Sequence, residues 1–214
     1  MKRGTILLLA VVVAIAGCSR SGVKGDGVLV TTNRPVADFS RLEMTGAYQV
    51  KWSSGKPALS ISTDQNLLPL ITTSANGDTL QIVSQDNLRP TKGIIITVSS
   101  SSLGGMQLNG AVSLTASNVS GRELKVESNG ASFISVQGSV TNLEATFSGA
   151  SKLDAKSLQT QTAKVSLNGA SYADVTASES LNASIAGAGA ITYGGNPKSV
   201  EKSISGVGRI QPRP

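Results

Sequence analysis

The sequence predicts an all-β chain, built mainly as a single right-handed parallel β-helix or β-solenoid-like domain with repeats of about 19–20 residues. The first observation behind this prediction is a series of glycine-centred motifs, separated by 20, 19, 20, 18 and 19 residues. A fixed period of this length is typical of solenoids, whose units bury their apolar faces only by stacking on neighbours. The regular part covers residues 107–210, and its key glycines are Gly110, Gly130, Gly149, Gly169, Gly187 and Gly206.

The second observation is a set of apolar columns that keep a fixed distance from these glycines. Apolar residues return four and six positions after each glycine and six, four and two positions before the next, with mostly polar residues between them. This alternation is the period-two pattern of a strand with one buried face. The residue directly after each glycine is also apolar and is predicted to point inward. Ser128 and Lys202 break the rule, and Lys202 falls in the last complete unit, where a solenoid needs a polar cap.

Composition is the third observation, and it also limits the function. Aromatic residues make up 3% of the 214 residues and charged residues 15%, whereas glycine occurs 23 times, which fits stacked strands better than a helix bundle. Positive charges are scattered rather than clustered beside aromatic residues, so nucleic acid is not an expected partner. The single cysteine cannot form an internal disulfide, and without histidine no Ser-His-Asp triad can form. The sequence therefore predicts neither catalysis nor a cofactor.

Residues 1–17 have the features of a targeting segment. Lys2 and Arg3 form a basic start, and residues 6–16 are an uninterrupted apolar run of eleven, which is too short to span a bilayer. The run ends in Ile15-Ala16-Gly17-Cys18, which resembles the lipobox of bacterial lipoproteins. Residues 1–17 are therefore predicted to be a lipoprotein signal peptide.

The lipobox resemblance implies a role for Cys18. In that class of protein the cysteine becomes the first mature residue and carries fatty acyl chains such as palmitate, and several chains together anchor a protein stably. Ser19 after the cysteine resembles the outer-membrane address of Gram-negative lipoproteins. Residues 18–27 are small, polar and rich in glycine, so they are predicted to be a lipidated flexible tether.

Residues 28–214 are predicted to form the domain, and their first part, 28–104, is less regular than the rest. Gly46-Ala47 repeats the later corner and places Val50 at an inward position. This part is either a set of irregular rungs of the same coil or a flanking sheet that caps it. Alternation and turn signals predict strands at 58–63, 80–84 and 94–99.

Several of these motifs together resemble one family of bacterial envelope proteins. They are the lead-in at 36–39, the Gly46-Ala47 pair, residues 62–66, residues 76–80 and the repeated Asn-Gly-Ala-Ser corners. In this combination they resemble the "putative auto-transporter adhesin, head GIN domain" family, over residues 29–210. The resemblance implies an all-β, β-helix-like fold on a secreted or lipid-anchored protein, and it brings no catalytic residues with it.

Phe133, Lys152 and Tyr172 are the candidate contact residues. Each lies three positions after a key glycine, in consecutive units, and is therefore predicted to point outward. Two aromatic rings beside a lysine on a flat β face suit a sugar ring that bears an acid, or an acidic protein edge. The alternative interpretation is an ordinary solvated strand face.

Two further columns contain residue types that bind ligands in other proteins. Asp154 and Asp174 occupy the same outward column, where they would form a cation or glycoside site or simply be two exposed polar residues. The second interpretation is favoured because no third acid joins them. The asparagines before three of the glycines are predicted to form a partial amide ladder: Asn109, Asn129 and Asn168.

The expected function is that of a lipid-anchored protein of the bacterial outer membrane, without catalysis, that presents a rigid β-solenoid surface to an envelope protein or a glycan. The sequence leaves two alternatives, a carbohydrate-active enzyme of β-helix type and a structural module that assembles end to end as a homo-oligomer. The expected partners are therefore the membrane, through Cys18, and an envelope protein or glycan.

A substitution at the lipobox tests the predicted anchor. We expect Cys18→Ala to accumulate as an unprocessed precursor that takes up no labelled lipid, because the acceptor thiol is lost. Immunoblotting and metabolic lipid labelling measure both effects, and Ser19→Ala serves as the control that stays processed. A mature protein whose Cys18 has the mass of an unmodified residue would contradict the lipoprotein prediction.

Overall fold

The computed structural model describes residues 22–84 and 87–214. The fold is all-β, with 77% of residues in strands and 3% in helix, and it forms a single domain. The predicted all-β single-domain class is therefore confirmed. The predicted signal peptide, residues 1–17, and the predicted lipidation site, Cys18, lie outside the described residues.

The described residues contain thirteen strands and one short 3₁₀ helix, Gln65–Leu70, between β4 and β5. The strands are β1 Val23–Lys24, β2 Leu29–Arg34, β3 Arg41–Ser54, β4 Ala58–Asp64, β5 Ile71–Asn76, β6 Thr79–Ser84, β7 Leu88–Arg89, β8 Ile95–Ser100, β9 Gly105–Gly130, β10 Phe133–Gly149, β11 Lys152–Gly169, β12 Tyr172–Gly194 and β13 Ser199–Pro212.

Six long strands stack in parallel in the order β3-β9-β10-β11-β12-β13. Their register places glycine beside glycine: Gly46 lies next to Gly110, Gly130 next to Gly149, Gly149 next to Gly169, Gly169 next to Gly187, and Gly187 next to Gly206. The Gly46-Ala47 pair therefore matches the later corners as predicted, and β3 is the first strand of the stack.

The stacked corners require glycine for two reasons. At Gly130 φ is +142°, a backbone conformation that residues with a side chain rarely adopt. A Cβ atom there would also overlap the carbonyl oxygen of Gly110, which accepts the N–H of Ala131 at 2.9 Å. The same overlap with the preceding glycine carbonyl recurs along the stack, at Gly110, Gly149, Gly169, Gly187 and Gly206.

The predicted inward columns are buried, with one correction. The residues four positions after the glycines are 0–7% exposed, from Leu114 and Ile134 to Ile210. The alanines directly after the glycines, such as Ala131 and Ala150, are instead exposed, so the prediction that they point inward is wrong. Inward and outward positions keep alternating through the corner, so from Gly110 to Gly169 the first buried residue after the glycine lies two positions beyond it. At three corners this residue is a serine: Ser132, Ser151 and Ser171.

Two of these buried serines, Ser151 and Ser171, form hydroxyl hydrogen bonds within the stack, whereas the Ser132 hydroxyl has no hydrogen-bond partner among the described residues. The Ser151 hydroxyl lies 3.1 Å from the Ser128 hydroxyl and donates to the carbonyl of Gly130 at 3.2 Å. Ser171 donates to the carbonyl of Gly149 at 3.1 Å. Buried hydroxyl groups need such partners, so these contacts add to the order of the corners. Four further buried apolar residues were not predicted from the sequence pattern: Val119, Val140, Leu158 and Ala177.

The less regular first part contains both of the predicted arrangements. β3 belongs to the stack, and the edge of β3 opposite β9 pairs with β6 over Arg41–Thr45 and with β8 over Gln49–Ser54. β4 and β2 then extend the sheet by antiparallel pairing. One end of the stack is therefore covered by flanking strands.

The other end of the stack is open, because β13 lies at the sheet edge. Ile204, which falls in an inward column, is 46% exposed there, and Val207 is 84% exposed. Lys202 donates to the carbonyl of Ile210 at 3.2 Å and lies 5.1 Å from the centre of the Tyr193 ring. The lysine predicted as a polar cap therefore closes over part of the exposed end.

Two glycines with nearly the same φ angle allow the effect of the close glycine–glycine contact on stability to be measured separately. Gly121 has φ +144° and open space where a Cβ atom would lie, whereas Gly130 has φ +142° and the overlap with Gly110. We expect both alanine variants to lose stability through backbone strain, and Gly130→Ala to lose about 1–3 kcal/mol more because of the overlap. Chemical denaturation measures the difference. Equal losses would show that the close approach of neighbouring corners does not limit stability.

Candidate functional site

The structure places Phe133, Lys152 and Tyr172 side by side on one outer face of the stack. They are register partners on β10, β11 and β12, and Phe133 and Tyr172 are 42% and 57% exposed. Their outward direction follows from alternation, since the next residue on each strand is buried. We call these three residues the ridge. Its members lie together as the sequence predicted, although their role as a contact surface stays a prediction.

The lysine is positioned between the two rings. Its ammonium nitrogen lies 5.7 Å from the centre of the Phe133 ring, within the range of a cation–π contact. The next residues in the same row are small, with Ser113 on the β9 side and Ala190 on the β12 side. The ridge therefore rises from a face of short side chains.

A shallow groove runs along the Tyr172 end of the ridge. Lys152, Tyr172, Ala190 and Thr192 line it together with Asp174. The groove combines an aromatic wall, a cation, a hydroxyl and a carboxylate, which are groups that hold a sugar ring in other proteins.

The predicted aspartate pair has a structural role. Asp154 and Asp174 are register partners, and each has its own cation. Asp154 lies 3.2 Å from Lys156, while Asp174 accepts from Arg213 Nε at 3.1 Å and also pairs with Arg213 Nη2. Each aspartate is thus partly exposed and paired with a cation, and the described residues contain no group of three potential metal ligands.

Arg213 reaches Asp174 across the intervening strand segment. Its backbone N–H donates to the carbonyl of Tyr193 at 2.7 Å, and its guanidinium also donates to the carbonyl of Val175 at 3.1 Å. A side chain at Gly194 would collide with the guanidinium, so glycine keeps the path clear. The sequence pattern missed this contact because the two charges are 39 residues apart.

The predicted amide ladder is present in part. Asn129 Nδ2 donates to Asn109 Oδ1 at 3.2 Å. Asn168 cannot continue this ladder directly, because its register partner on β10 is Ser148. Asn109 and Asn129 therefore join two adjacent corners as the ladder predicted.

A second charged surface lies on a different face, around Arg41, Glu43, Lys125 and Glu127, which line a small cleft. Lys125 Nζ lies 2.7 Å from Glu127 Oε1, and this hydrogen bond and charge raise the pKa of the lysine. Because opposite charges already pair here, the cleft offers less binding potential than the ridge.

The segment that leads into β2 is hydrogen-bonded to the domain, although its sequence is typical of a tether. We call residues 22–29 the strap. In the strap, β1 pairs with β7, and Gly27 N–H donates to Asp64 Oδ1 at 2.8 Å. The buried Asp64 also accepts from the Thr91 N–H and hydroxyl at 2.8 and 2.7 Å. Within the predicted tether, residues 22–27 therefore lie against the domain.

The ionisation of Asp64 depends on two opposing effects. Burial is the largest single influence and raises the pKa, but the hydrogen bonds from Thr91 and Gly27 together lower it below the ordinary value of 3.8. The carboxylate is therefore charged at neutral pH and holds two separate segments of the chain.

Comparison with solved structures shows the same fold in three bacterial proteins. A "putative adhesin" from Bacteroides fragilis is 21% identical and superposes with a TM-score of 0.74, covering 90% of this chain and 100% of that one. A "putative adhesin" from Parabacteroides distasonis is 20% identical, with a TM-score of 0.59 and coverage of 90% and 100%. A "putative lipid binding protein" from the same species is 22% identical, with a TM-score of 0.52 and coverage of 91% and 100%.

A profile of the family described as "Putative auto-transporter adhesin, head GIN domain" matches residues 38–197, and the chain belongs to this family. The resemblance found in the sequence is therefore confirmed. The family is adhesin-like, and neither it nor the structural neighbours are described as enzymes. Comparison with curated proteins finds no match. Among the described residues no helix is long and apolar enough to cross a membrane.

Acid should release the strap. Because the pKa of Asp64 is lower in the folded state, its ionisation stabilises the docked strap above pH 3.8, and this stabilisation is lost as the pH falls through the lowered pKa. We expect the protection of backbone amides in residues 22–29, measured as their exchange rate relative to the intrinsic rate at the same pH, to fall at low pH, and Asp64→Asn to show the same loss of protection at pH 7. Asp26→Asn, at an exposed strap position, is the control. Unchanged exchange in Asp64→Asn would show that other contacts hold the strap.

Proposed function

We propose that this protein is a lipid-anchored component of the bacterial outer membrane that binds an anionic glycan through the ridge of Phe133, Lys152 and Tyr172. The observation that carries the proposal is the exposed alignment of these three large side chains on adjacent strands. The family membership supports a role at the cell surface or in the envelope.

In this proposal the ridge lies on a right-handed β-solenoid. Parallel pairing of β9 to β13 and glycine-on-glycine register support such a coil. Neighbouring strands lie ~4.8 Å apart, so three register partners form a ridge ~10 Å long, about two sugar rings. A scaffold held by backbone bonds along its whole length keeps this spacing fixed, so little order has to be gained on binding.

The chemistry of the ridge favours a sugar that carries an acid. An aromatic ring presents a flat apolar face on which the C–H face of a sugar can stack, and Tyr172 has the more exposed ring. Lys152 lies between the rings and supplies the charge that a uronic acid or sulfated sugar needs. An acidic protein edge would use the same lysine but would gain less from stacking.

The anchor at Cys18 is the second part of the proposal. Its support comes from the lipobox resemblance and from the basic, apolar leader. Acylation would hold the folded domain at a membrane surface and leave the ridge accessible.

The other two functions have less support in the structure. A continuous coil of several copies needs a free β3 edge to receive β13 of the next copy, but β6 and β8 occupy that edge, and the sheet ends instead at the antiparallel strand β2. A β-helix glycosidase needs carboxyl groups free to act, whereas Asp154 and Asp174 are each held by a cation.

A matched pair of triple variants tests the glycan site. We expect Phe133→Ser/Lys152→Ser/Tyr172→Ser to keep its thermal stability, because the three side chains are exposed. Its affinity for acidic glycans on an array should fall by about tenfold or more, which corresponds to the loss of one stacking contact and one contact with a cation. The control changes another outward row of three adjacent strands, Lys125→Ser/Glu144→Ser/Lys164→Ser, and should keep binding. The loss should be larger at low salt, where the lysine contributes most.

Several results would change the proposal. Equal affinity in the ridge variant and the wild type would place the contact on another face. Binding of the wild type to an acidic protein but to no glycan would replace the partner class. Unfolding of the ridge variant would show that the row is not outward.

A further inference from the structure

The strap carries an unusual share of the exposed apolar surface. Eight large apolar side chains are exposed in the described part of the chain, and three of them lie between Val23 and Leu29. Val23 is 36% exposed, Val28 52% and Leu29 44%. In a chain whose other outer faces are mostly small and polar, this concentration marks an interaction surface.

Cations surround the same segment. Lys24 on β1 is the register partner of Arg89 on β7, so two positive side chains start from adjacent backbone positions. Lys92 follows Thr91, which shares the Asp64 carboxylate with Gly27 of the strap. One exposed acid, Asp26, lies within the strap, and its carboxylate accepts the Val28 N–H at 3.0 Å.

The contacts that hold the strap fix this surface in place. Asn66 donates to the carbonyl of Lys24 at 2.8 Å and accepts the Asp26 N–H at 3.0 Å. The N–H of Gln65 donates to the carbonyl of Val28 at 2.8 Å. The apolar side chains and the lysines are therefore presented together by backbone that is bonded at both ends.

The position of the strap in the chain indicates its partner. Cys18 precedes Gly22 by four residues, which span at most ~14 Å when fully extended. An acyl group at Cys18 enters the hydrocarbon of the bilayer, and the headgroup layer above it is ~5–8 Å thick on each side. The strap is therefore confined to the vicinity of the headgroups.

We propose that the strap, through the exposed side chains of Val23, Val28 and Leu29 together with Lys24 and the nearby Lys92, is a membrane-docking surface for anionic lipid headgroups. Lysines gain free energy from the negative surface potential, and the apolar side chains enter the interface beside them. Docking orients the domain, so that the covered end of the stack faces the membrane and the β13 end points away. This inference rests on the anchoring part of the proposed function.

Labelling at a new cysteine tests the orientation in the full chain. The native sequence has one cysteine, which acylation consumes, so an added cysteine accepts a fluorophore selectively. Val28→Cys reports on the strap, and Val207→Cys, 84% exposed on β13, is the matched control at the open end. The labelled lipoprotein is reconstituted into phosphatidylglycerol–phosphatidylcholine or pure phosphatidylcholine vesicles that contain a headgroup-attached quencher.

We expect strong quenching at position 28 and little at position 207, and the difference should shrink in pure phosphatidylcholine or at high salt. Lys24→Ala/Lys92→Ala should lower the docked population, by about fivefold for each lysine removed, whereas Lys156→Ala/Lys198→Ala should leave it unchanged. Equal quenching at both positions, or the same quenching in both kinds of vesicle, would overturn the proposal. Capture of an envelope protein by the strap, with no lipid effect, would overturn it in favour of a protein partner.

Failure of the anchor gives a different result. If the protein is recovered without acyl chains, the anchoring proposal fails, and Val28→Cys and Val207→Cys are then labelled in a Cys18→Ala background and mixed with the two kinds of vesicle. A signal at position 28 that still requires phosphatidylglycerol would keep the docking surface. Absence of that signal would overturn the docking surface as well.

Discussion

The close approach of one glycine to the carbonyl of the glycine in the next strand sets the register of the whole stack. Each corner from Gly110 to Gly206 combines a positive φ with a position where a Cβ atom would overlap that carbonyl. A slip by one residue would bring a side chain into this contact, so slipped registers cost both strain and overlap. Because each strand pairs with the one before it, the steric constraint at each corner fixes the register along the whole stack.

Because the register is fixed, equivalent residues of successive strands lie in straight rows on the surface. Neighbouring side chains in a row must therefore be compatible in size and charge. Lys125, Glu144 and Lys164 occupy one such row, and the sign of the charge alternates along it. Glu144 and Lys164 lie 3.0 Å apart as a result. Such exposed pairs contribute little stability each, but like charges in one row would repel repeatedly. The outward rows can therefore differ in chemistry, whereas the inner columns are mostly apolar.

The repeat made most of the stack predictable, and the errors have identifiable causes. The inward columns and the ridge followed from period-two alternation counted from the glycines. The alanine after each glycine was misplaced because its apolar character was given more weight than the phase of the alternation. Ser132 and Ser151 were overlooked as core residues because serine is usually exposed, and only the structure shows that the Gly130 carbonyl accepts the Ser151 hydroxyl. The Arg213–Asp174 contact and the Asp64 strap join residues far apart in sequence, which no periodic pattern can indicate.

The two ends of the stack differ in a way that connects the anchor to the ridge. Flanking strands and the strap cover the β3 end, whereas β13 is open, so the stack has a direction. The row that contains the ridge starts with Gln49 on β3 and Ser113 on β9, both with short or uncharged side chains, before the large residues begin at Phe133. At ~4.8 Å per strand, Phe133 lies ~10 Å beyond β3 and Tyr172 ~19 Å beyond it. In the proposed orientation, with the strap at the headgroups, the large side chains would begin beyond the headgroup layer, where the proposed glycan could reach them.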